Sequence, residues 1–189
     1  DINAFQPLFT SPEELEVRVL TELWVEVAWM KMTSKRARTT TDNPVVVKIN
    51  KILQNSVKEL SEEIHKKALN LPLYRKAFEE LGLKGPSLAY IVSHDSTALA
   101  ILSRNRLVFR YQITGRRGHR RRNMRSRLLI KLARSAVLHK HSRYHEVYRK
   151  YFERFKAEGR GKPHWKAVLR VAERILKDLH SLAKRTPDT

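Results

Sequence analysis

Residues 42–68 read DNPVVVKINKILQNSVKELSEEIHKKA, and this stretch decides the fold class. Asp42-Asn43-Pro44 is a helix start: a capping side chain stands ahead of a proline whose fixed φ and missing N–H suit the first turn. Val46, Ile49, Leu53, Val57, Leu60, Ile64 and Ala68 then recur at steps of three and four, with Glu and Lys between them. That period predicts one amphipathic helix of about 25 residues. A helix of this length and patterning suits a helical hairpin or an intersubunit pair.

Working outward, the same grammar repeats. Ser11-Pro12-Glu13-Glu14 combines an N-cap serine, proline at the first helical position and a glutamate placed to close a capping box. The helix it opens is expected to run to about Lys35. Its middle is apolar nearly all round, with Leu20, Leu23, Trp24, Val25, Val27, Ala28, Trp29 and Met30. A helix apolar on every face is buried on every face, so part of it is expected to pack on another subunit. Residues 1–10, with Phe5 and Phe9, read as an extended arm. The basic, β-branched segment Lys35–Thr41 reads as a break.

Downstream, Pro72 to Leu81 predicts a short helix ended by Gly82, Pro86 to Ser93 a second, and Thr97 to Phe109 a third. Arg125 to His139, Arg143 to Ala157 and Pro163 to Lys184 predict three more, with Gly159 and Gly161 separating the last two. A weak strand is expected at Leu107–Ile113. The fold class is therefore all-α: a multi-helix bundle with an extended N-terminal arm and, at Gly82-Leu83-Lys84-Gly85, a helix-hairpin-helix-like turn. Residues 1–70 form the arm and two long helices, expected to serve assembly or dimerisation. Residues 71–189 form a basic helical region expected to bind DNA.

Charge supplies the functional expectation. Ser96 to His145 contains no acidic residue and fourteen Lys or Arg, out of a formal net charge of +20 for the chain. Most are Arg, whose forked donors match phosphate oxygens and whose charge persists at any pH of interest. Such a block repels itself unless a polyanion neutralises it, and nucleic acid does so with release of condensed counterions. Apolar periodic segments flank the run, which places it in a fold and not in a solvated tail. The candidate nucleic-acid contacts are Lys35, Arg36 and Arg38 in the first break; Gly82, Lys84 and Gly85 in the glycine turn; Arg104, Arg106 and Arg110; Arg116, Arg117, Arg120, Arg121, Arg122, Arg125 and Arg127; and Lys131 and Arg134. The glycine turn is included because amides at a helix N-terminus can meet a phosphate oxygen.

Other chemistries find no pattern. There is no cysteine, hence no disulfide, thiol nucleophile or common zinc module. His139, His141 and His145 have no carboxylate beside them until Glu146, so no metal is expected. The acids lie on polar helix faces or at helix starts, where they serve caps and solubility. No Walker or Rossmann glycine loop is present. Tyr144, Tyr148, Tyr151, Phe152 and Phe155 share one helical face and are expected to pack in the core in preference to stacking on bases. No enzyme activity, cofactor or small-molecule substrate is expected. No window approaches ~18 uninterrupted apolar residues, so neither a span nor a membrane partner is expected. Many charges with few Asn and Gln lean toward a thermophile.

The second half resembles the C-terminal domain of the bridge-RNA-guided insertion-sequence recombinases, transposases that carry a RuvC-like DEDD domain ahead of it. In that family a G-[I/L]-x-G-P-x-x-x-A hairpin comes first; Gly82, Leu83, Gly85 and Pro86 match it here. A Ser-Gly followed by a basic stretch and a basic helix comes next; Thr114-Gly115, Arg116 to Arg127 and Leu128-Leu129 stand in that place. Last comes G-K-P, three residues, Ala and a basic-apolar helix; Gly161-Lys162-Pro163, Ala167 and Arg174-Ile175-Leu176 match it. The similarity covers about residues 60–184. The RuvC-like domain and its metal-binding acids are not in this sequence, and Thr114 stands where the family has its nucleophilic serine. The resemblance therefore implies DNA binding that persists without catalysis.

Together these features lead to the expectation of a non-catalytic protein that coats or packages double-stranded DNA, partnered by itself or a related chain. Its most concrete form is a nucleocapsid or major capsid protein of an archaeal virus, located in the virion or otherwise in the host cytoplasm or nucleoid. The alternative is the DNA- or RNA-binding part of a truncated or accessory recombinase.

Overall fold

The computed structural model describes residues 11–40, 43–113, 123–139, 142–159 and 161–186. The N-terminal arm with Phe5 and Phe9, Thr114, and the arginines from Arg116 to Arg122 lie outside the described residues. Within them the chain forms eight helices and no strand: α1 (Pro12–Thr40), α2 (Pro44–Ala68), α3 (Pro72–Leu81), α4 (Pro86–Ile101), α5 (Arg104–Arg110), α6 (Met124–Leu138), α7 (Arg143–Ala157) and α8 (Pro163–Lys184). The all-α expectation holds. None of these helices is long and apolar enough to cross a membrane.

The centre is a trio, α4, α6 and α8, packed on one another. In α8, Val168, Val171, Ala172, Ile175, Leu176, Leu179 and Leu182 recur at helical spacing and are all fully or nearly fully buried. Helix α4 buries Leu88, Ala89, Ile91, Val92 and Leu99. Tyr144 and Phe155 of α7 are buried as the aromatic spacing implies, while Tyr148, Tyr151 and Phe152 are only half covered.

Helices α1 and α2 form an antiparallel hairpin whose base lies on α4. Val17 and Trp24 of α1 join Ile64 and Ala68 of α2 in the common core. The Trp24 indole N–H donates to Ser61 Oγ at 3.0 Å, the Arg18 guanidinium donates to the Ser93 carbonyl, and Ser96 Oγ donates to Glu14 at 3.1 Å. No described residue between 28 and 56 belongs to the core. The far half of the hairpin therefore stands clear of it, by about 20 Å at 1.5 Å per residue.

Three local expectations change. Helix α1 does not break at Lys35 but continues to Thr40; the Thr39 hydroxyl donates to the Arg36 carbonyl at 2.6 Å, so its polar group is satisfied within the last turn. The expected Thr97–Phe109 helix is divided: its start joins Pro86–Ser93 in α4, where Asp95 and Ser96 of the polar stretch find tertiary partners, and α4 ends at Ile101; after an extended Leu102 and Ser103 the remainder is α5. The weak strand at Leu107–Ile113 is the end of α5 and a turn. Leu107 and Tyr111, one helical turn apart, are both buried. A short apolar run cannot distinguish strand from buried helix by pattern alone.

Buried tyrosines make the fold sensitive to alkali. Tyr74 is completely covered, and burial pushes its hydroxyl up to about 12, opposed in part by the hydrogen bond from the Gly85 amide. Tyr111 and Tyr144 are also pushed up, by burial first and then by the charges of Asp95 and Asp178 respectively. These groups fold as neutral phenols, so their contribution is complete below the ordinary tyrosine range near 10. It is lost as pH rises toward their folded values. We expect a flat melting temperature from pH 7 to 9 and a fall above pH 10. Tyrosinate absorbance from the buried rings should then appear together with loss of helical circular dichroism. Full ionisation of all tyrosines in a still-folded protein would show the rings to be accessible.

Candidate nucleic-acid interface

Helix α6 organises the basic surface. Asn123 caps it: its Oδ1 accepts from the Ser126 amide at 2.8 Å, and its Nδ2 donates to the Arg110 carbonyl at 2.9 Å. The Asn123 amide also donates to Gln112 Oε1 at 3.3 Å. One residue thus ties the start of α6 to the end of α5 across the segment that carries Arg116 to Arg122.

Asp95 reinforces that tie from below. Its carboxylate is fully buried and receives Arg110 (Nη2 at 2.6 Å, Nε at 3.1 Å), Arg125 (Nε at 2.8 Å) and the Tyr111 hydroxyl at 2.8 Å. Two of the cations expected to face nucleic acid, Arg110 and Arg125, are therefore committed to an internal carboxylate. Their signal was hidden because Asp95 stands alone in sequence, at the edge of the acid-free window, with no local partner to betray it.

The glycine turn is also inward-looking. Gly82 ends α3 in the left-handed conformation, φ 65°, and Leu83 donates its amide back to the Ala77 carbonyl at 3.2 Å. Gly85, φ 95°, opens α4, but its amide donates to the Tyr74 hydroxyl at 2.9 Å, and that hydroxyl lies 2.7 Å from His65 Nδ1. The Gly85 amide is thus not free for phosphate. Only Lys84 of this turn is an exposed cation.

What does face outward is a stripe on α6: Arg127, Lys131 and Arg134, spaced four and three residues apart and all exposed. Among the described residues no carboxylate forms an ion pair with any of them. Tryptophans from two other helices hold the stripe in place. The Lys131 ammonium lies 3.9 Å from the Trp24 ring centre, and the Arg134 guanidinium 5.2 Å from that of Trp165. Burial, and then the nearby charge of Lys31, lower the Lys131 ammonium below its ordinary range. Lys31 links the stripe to α1, where Lys35, Arg36 and Arg38 are exposed along the projecting half of the hairpin. Arg104 and Arg106 of α5 are exposed too. Arg104 lines an open cleft of about 220 Å³ with Arg170, Glu173, Lys177 and His180 of α8.

The structure thus joins Arg127, Lys131 and Arg134 to the hairpin cations through Lys31, and removes Arg110, Arg125 and the Gly85 amide from the surface set. Lys31, Trp24 and Trp165 were missed as parts of this surface. Their spacing marks them as core or helix-face residues, and only the tertiary crossing of α1, α6 and α8 brings them to the stripe. No protein-family model matches this chain, and no curated protein or solved structure matches it either.

Proposed function

We propose that this protein binds double-stranded DNA without enzymatic chemistry and covers it in a sequence-independent manner, as a coat or packaging protein does. The observation that carries this reading is the α6 stripe of Arg127, Lys131 and Arg134. It is exposed, has no described carboxylate paired to it, and is continuous in sequence with the Arg116–Arg122 run. A rigid helix of cations neutralises phosphates along one backbone, and such contacts carry affinity without reading bases. The projecting hairpin, basic at its far end, extends the same field away from the body. A nucleocapsid role in an archaeal virion is the most concrete form of this proposal.

Nuclease protection of long linear duplex DNA at saturating protein, near 0.15 M salt, tests it. Continuous protection is expected. A short discrete footprint, or open DNA, would defeat the coat reading.

A second reading has its own support. The three segments that resemble the recombinase C-terminal domain open α4, α6 and α8, the same three helices that form the central trio. On this reading the chain is the DNA- or RNA-binding part of a recombinase. Protection of a structured RNA, with random duplex left open, is then the expected outcome of the same assay.

A further inference from the structure

Arginines that converge in this fold do so on an acid. Asp95 receives Arg110 and Arg125, and Asp178 of α8 receives Arg143 at 2.9 Å and Arg174 at 3.1 Å. The cleft between α5 and α8 departs from that pattern. It encloses about 220 Å³ and is lined by Arg104 of α5 and by Arg170, Glu173, Lys177 and His180 of α8. These α8 residues are three, four and three positions apart, so one face of the helix carries them all, over about 15 Å. Glu173 is the one carboxylate in the described lining, and Arg170 takes it, Nη1 to Oε2 at 2.7 Å, which leaves Arg104 and Lys177 without a described carboxylate partner.

His180 is held in place beside these cations. A carbonyl oxygen only accepts, so the 2.6 Å contact with Leu99 is donated by the His180 Nδ1–H. That bond satisfies a carbonyl in the last turn of α4 and leaves Nε2 as the ring nitrogen for a ligand. It accepts from an O–H or, when protonated, donates to an anionic oxygen. A concave site with an excess of one sign of charge focuses the field and concentrates the counter-ion. Pockets for drug-sized molecules run from about 300 to 1,000 Å³; this one is smaller and its rim is charged, so it suits a compact anion with several acceptor oxygens. A phosphate group has that form, because Arg forks onto two of its oxygens and Lys adds a point charge.

We infer that the α5–α8 cleft binds a phosphate group. Arg104 and Lys177 supply the uncompensated charge, Arg170 the rest of its fork, and His180 Nε2 a further hydrogen bond. The phosphate of a nucleic-acid strand and that of a small phosphate ester present the same oxygens to these groups. None of Arg127, Lys131 and Arg134 lines the cleft, so the site stands apart from the α6 stripe and its test needs no nucleic acid.

Inorganic phosphate is the probe, titrated at constant pH and about 0.15 M ionic strength into nuclease-treated, nucleic-acid-free full chain. Proton NMR of the histidine rings is the readout. The chain has eight histidines, and His180→Gln identifies the ring of interest by the signal it removes. That ring should shift with a midpoint at or below about 1 mM phosphate. Arg104→Gln with Lys177→Gln should raise the midpoint at least about tenfold, with helical circular dichroism unchanged because both side chains are exposed. Lys48→Gln with Lys51→Gln, which removes the same charge from exposed sites on α2, should leave the midpoint where it was. A His180 ring that stays unmoved up to about 10 mM phosphate overturns the inference. So does a midpoint that ignores the cleft pair, or one that the α2 pair raises equally, the mark of general attraction to a basic chain. A short random-sequence duplex then separates the sources. If it shifts the same ring and removes the phosphate response, the cleft holds a nucleic-acid phosphate; if the response persists with duplex present, the cleft holds a small phosphate ester. Failure of the phosphate titration would leave the duplex reading standing, since no nucleic acid enters it.

Discussion

Asp95→Asn is expected to destabilise the protein by about 3 kcal/mol, the low end of what removing one partner from a buried ion pair costs. In a chain of this size that lowers the melting temperature by roughly 10 °C. The carboxylate is inaccessible to solvent and is the common acceptor for Arg110, Arg125 and Tyr111. An amide retains the shape and one acceptor oxygen but presents an N–H₂ where the site has only donors. The low end applies because Arg110 and Arg125 keep 24% and 33% of their side-chain surface in water and can turn outward in part. The effect should reach the interface as well. Arg110 and Arg125 lie on either side of the Arg116–Arg122 run, so an unclamped Asp95 frees the spacing that Asn123 and Gln112 otherwise share with it. Arg110→Gln should cost less than Asp95→Asn, because Asp95 then retains Arg125 and Tyr111. The double variant should be less destabilised than the sum of the two single ones. Thermal melts of the three variants check this. Additive costs would mean that the three donors do not act on one carboxylate.

The fold class was legible for reasons that reside in local chemistry. Proline stands at the first turn of α1, α2, α3, α4 and α8, and the periodic runs that follow are long enough to leave no competing reading. Helix ends were less legible where a tertiary partner, not a local stop signal, decides them. The run 94–97 reads as a polar interruption, yet Asp95 and Ser96 are satisfied by residues many positions away, and α4 passes through. The interface was legible in kind and only partly in detail. Sequence reports that cations are dense between Ser96 and His145 but cannot report which are spent internally. Arg125 and Arg127 are two residues apart on the same helix, and their fates differ because α4 brings a buried carboxylate under the first, while no described carboxylate pairs with the second. The glycine turn shows the same limit: sequence offers the Gly85 amide, and the Tyr74 hydroxyl takes it, while Lys84 stays exposed.

Neutralising the α6 stripe separates surface charge from structural charge. Arg127→Gln, Lys131→Gln and Arg134→Gln together are expected to lower affinity for duplex DNA. They should also flatten the log–log salt dependence by about 2.7, at about 0.9 for each phosphate no longer neutralised. At physiological salt each such phosphate should weaken binding several-fold, so the triple variant should bind at least about tenfold more weakly on random-sequence duplex. Stability should change little, because all three side chains are exposed and form no ion pair with a described carboxylate. Lys131 lies over Trp24 and Arg134 over Trp165; at about 1 kcal/mol for each contact, a loss of about 2 kcal/mol of stability is the ceiling. Arg110→Gln is the control with the opposite signature: a clear loss of stability with a salt slope near that of the parent protein. Titrations between about 50 and 300 mM salt, by anisotropy on a labelled duplex, read both affinity and slope on the same samples. If the triple variant retains the parental slope, the duplex lies elsewhere, and the hairpin cations Lys31, Lys35, Arg36 and Arg38 become the binding surface. If the Arg110→Gln slope falls while its melting temperature holds, then Arg110 leaves Asp95 to bind phosphate, and the internal clamp is itself part of the interface.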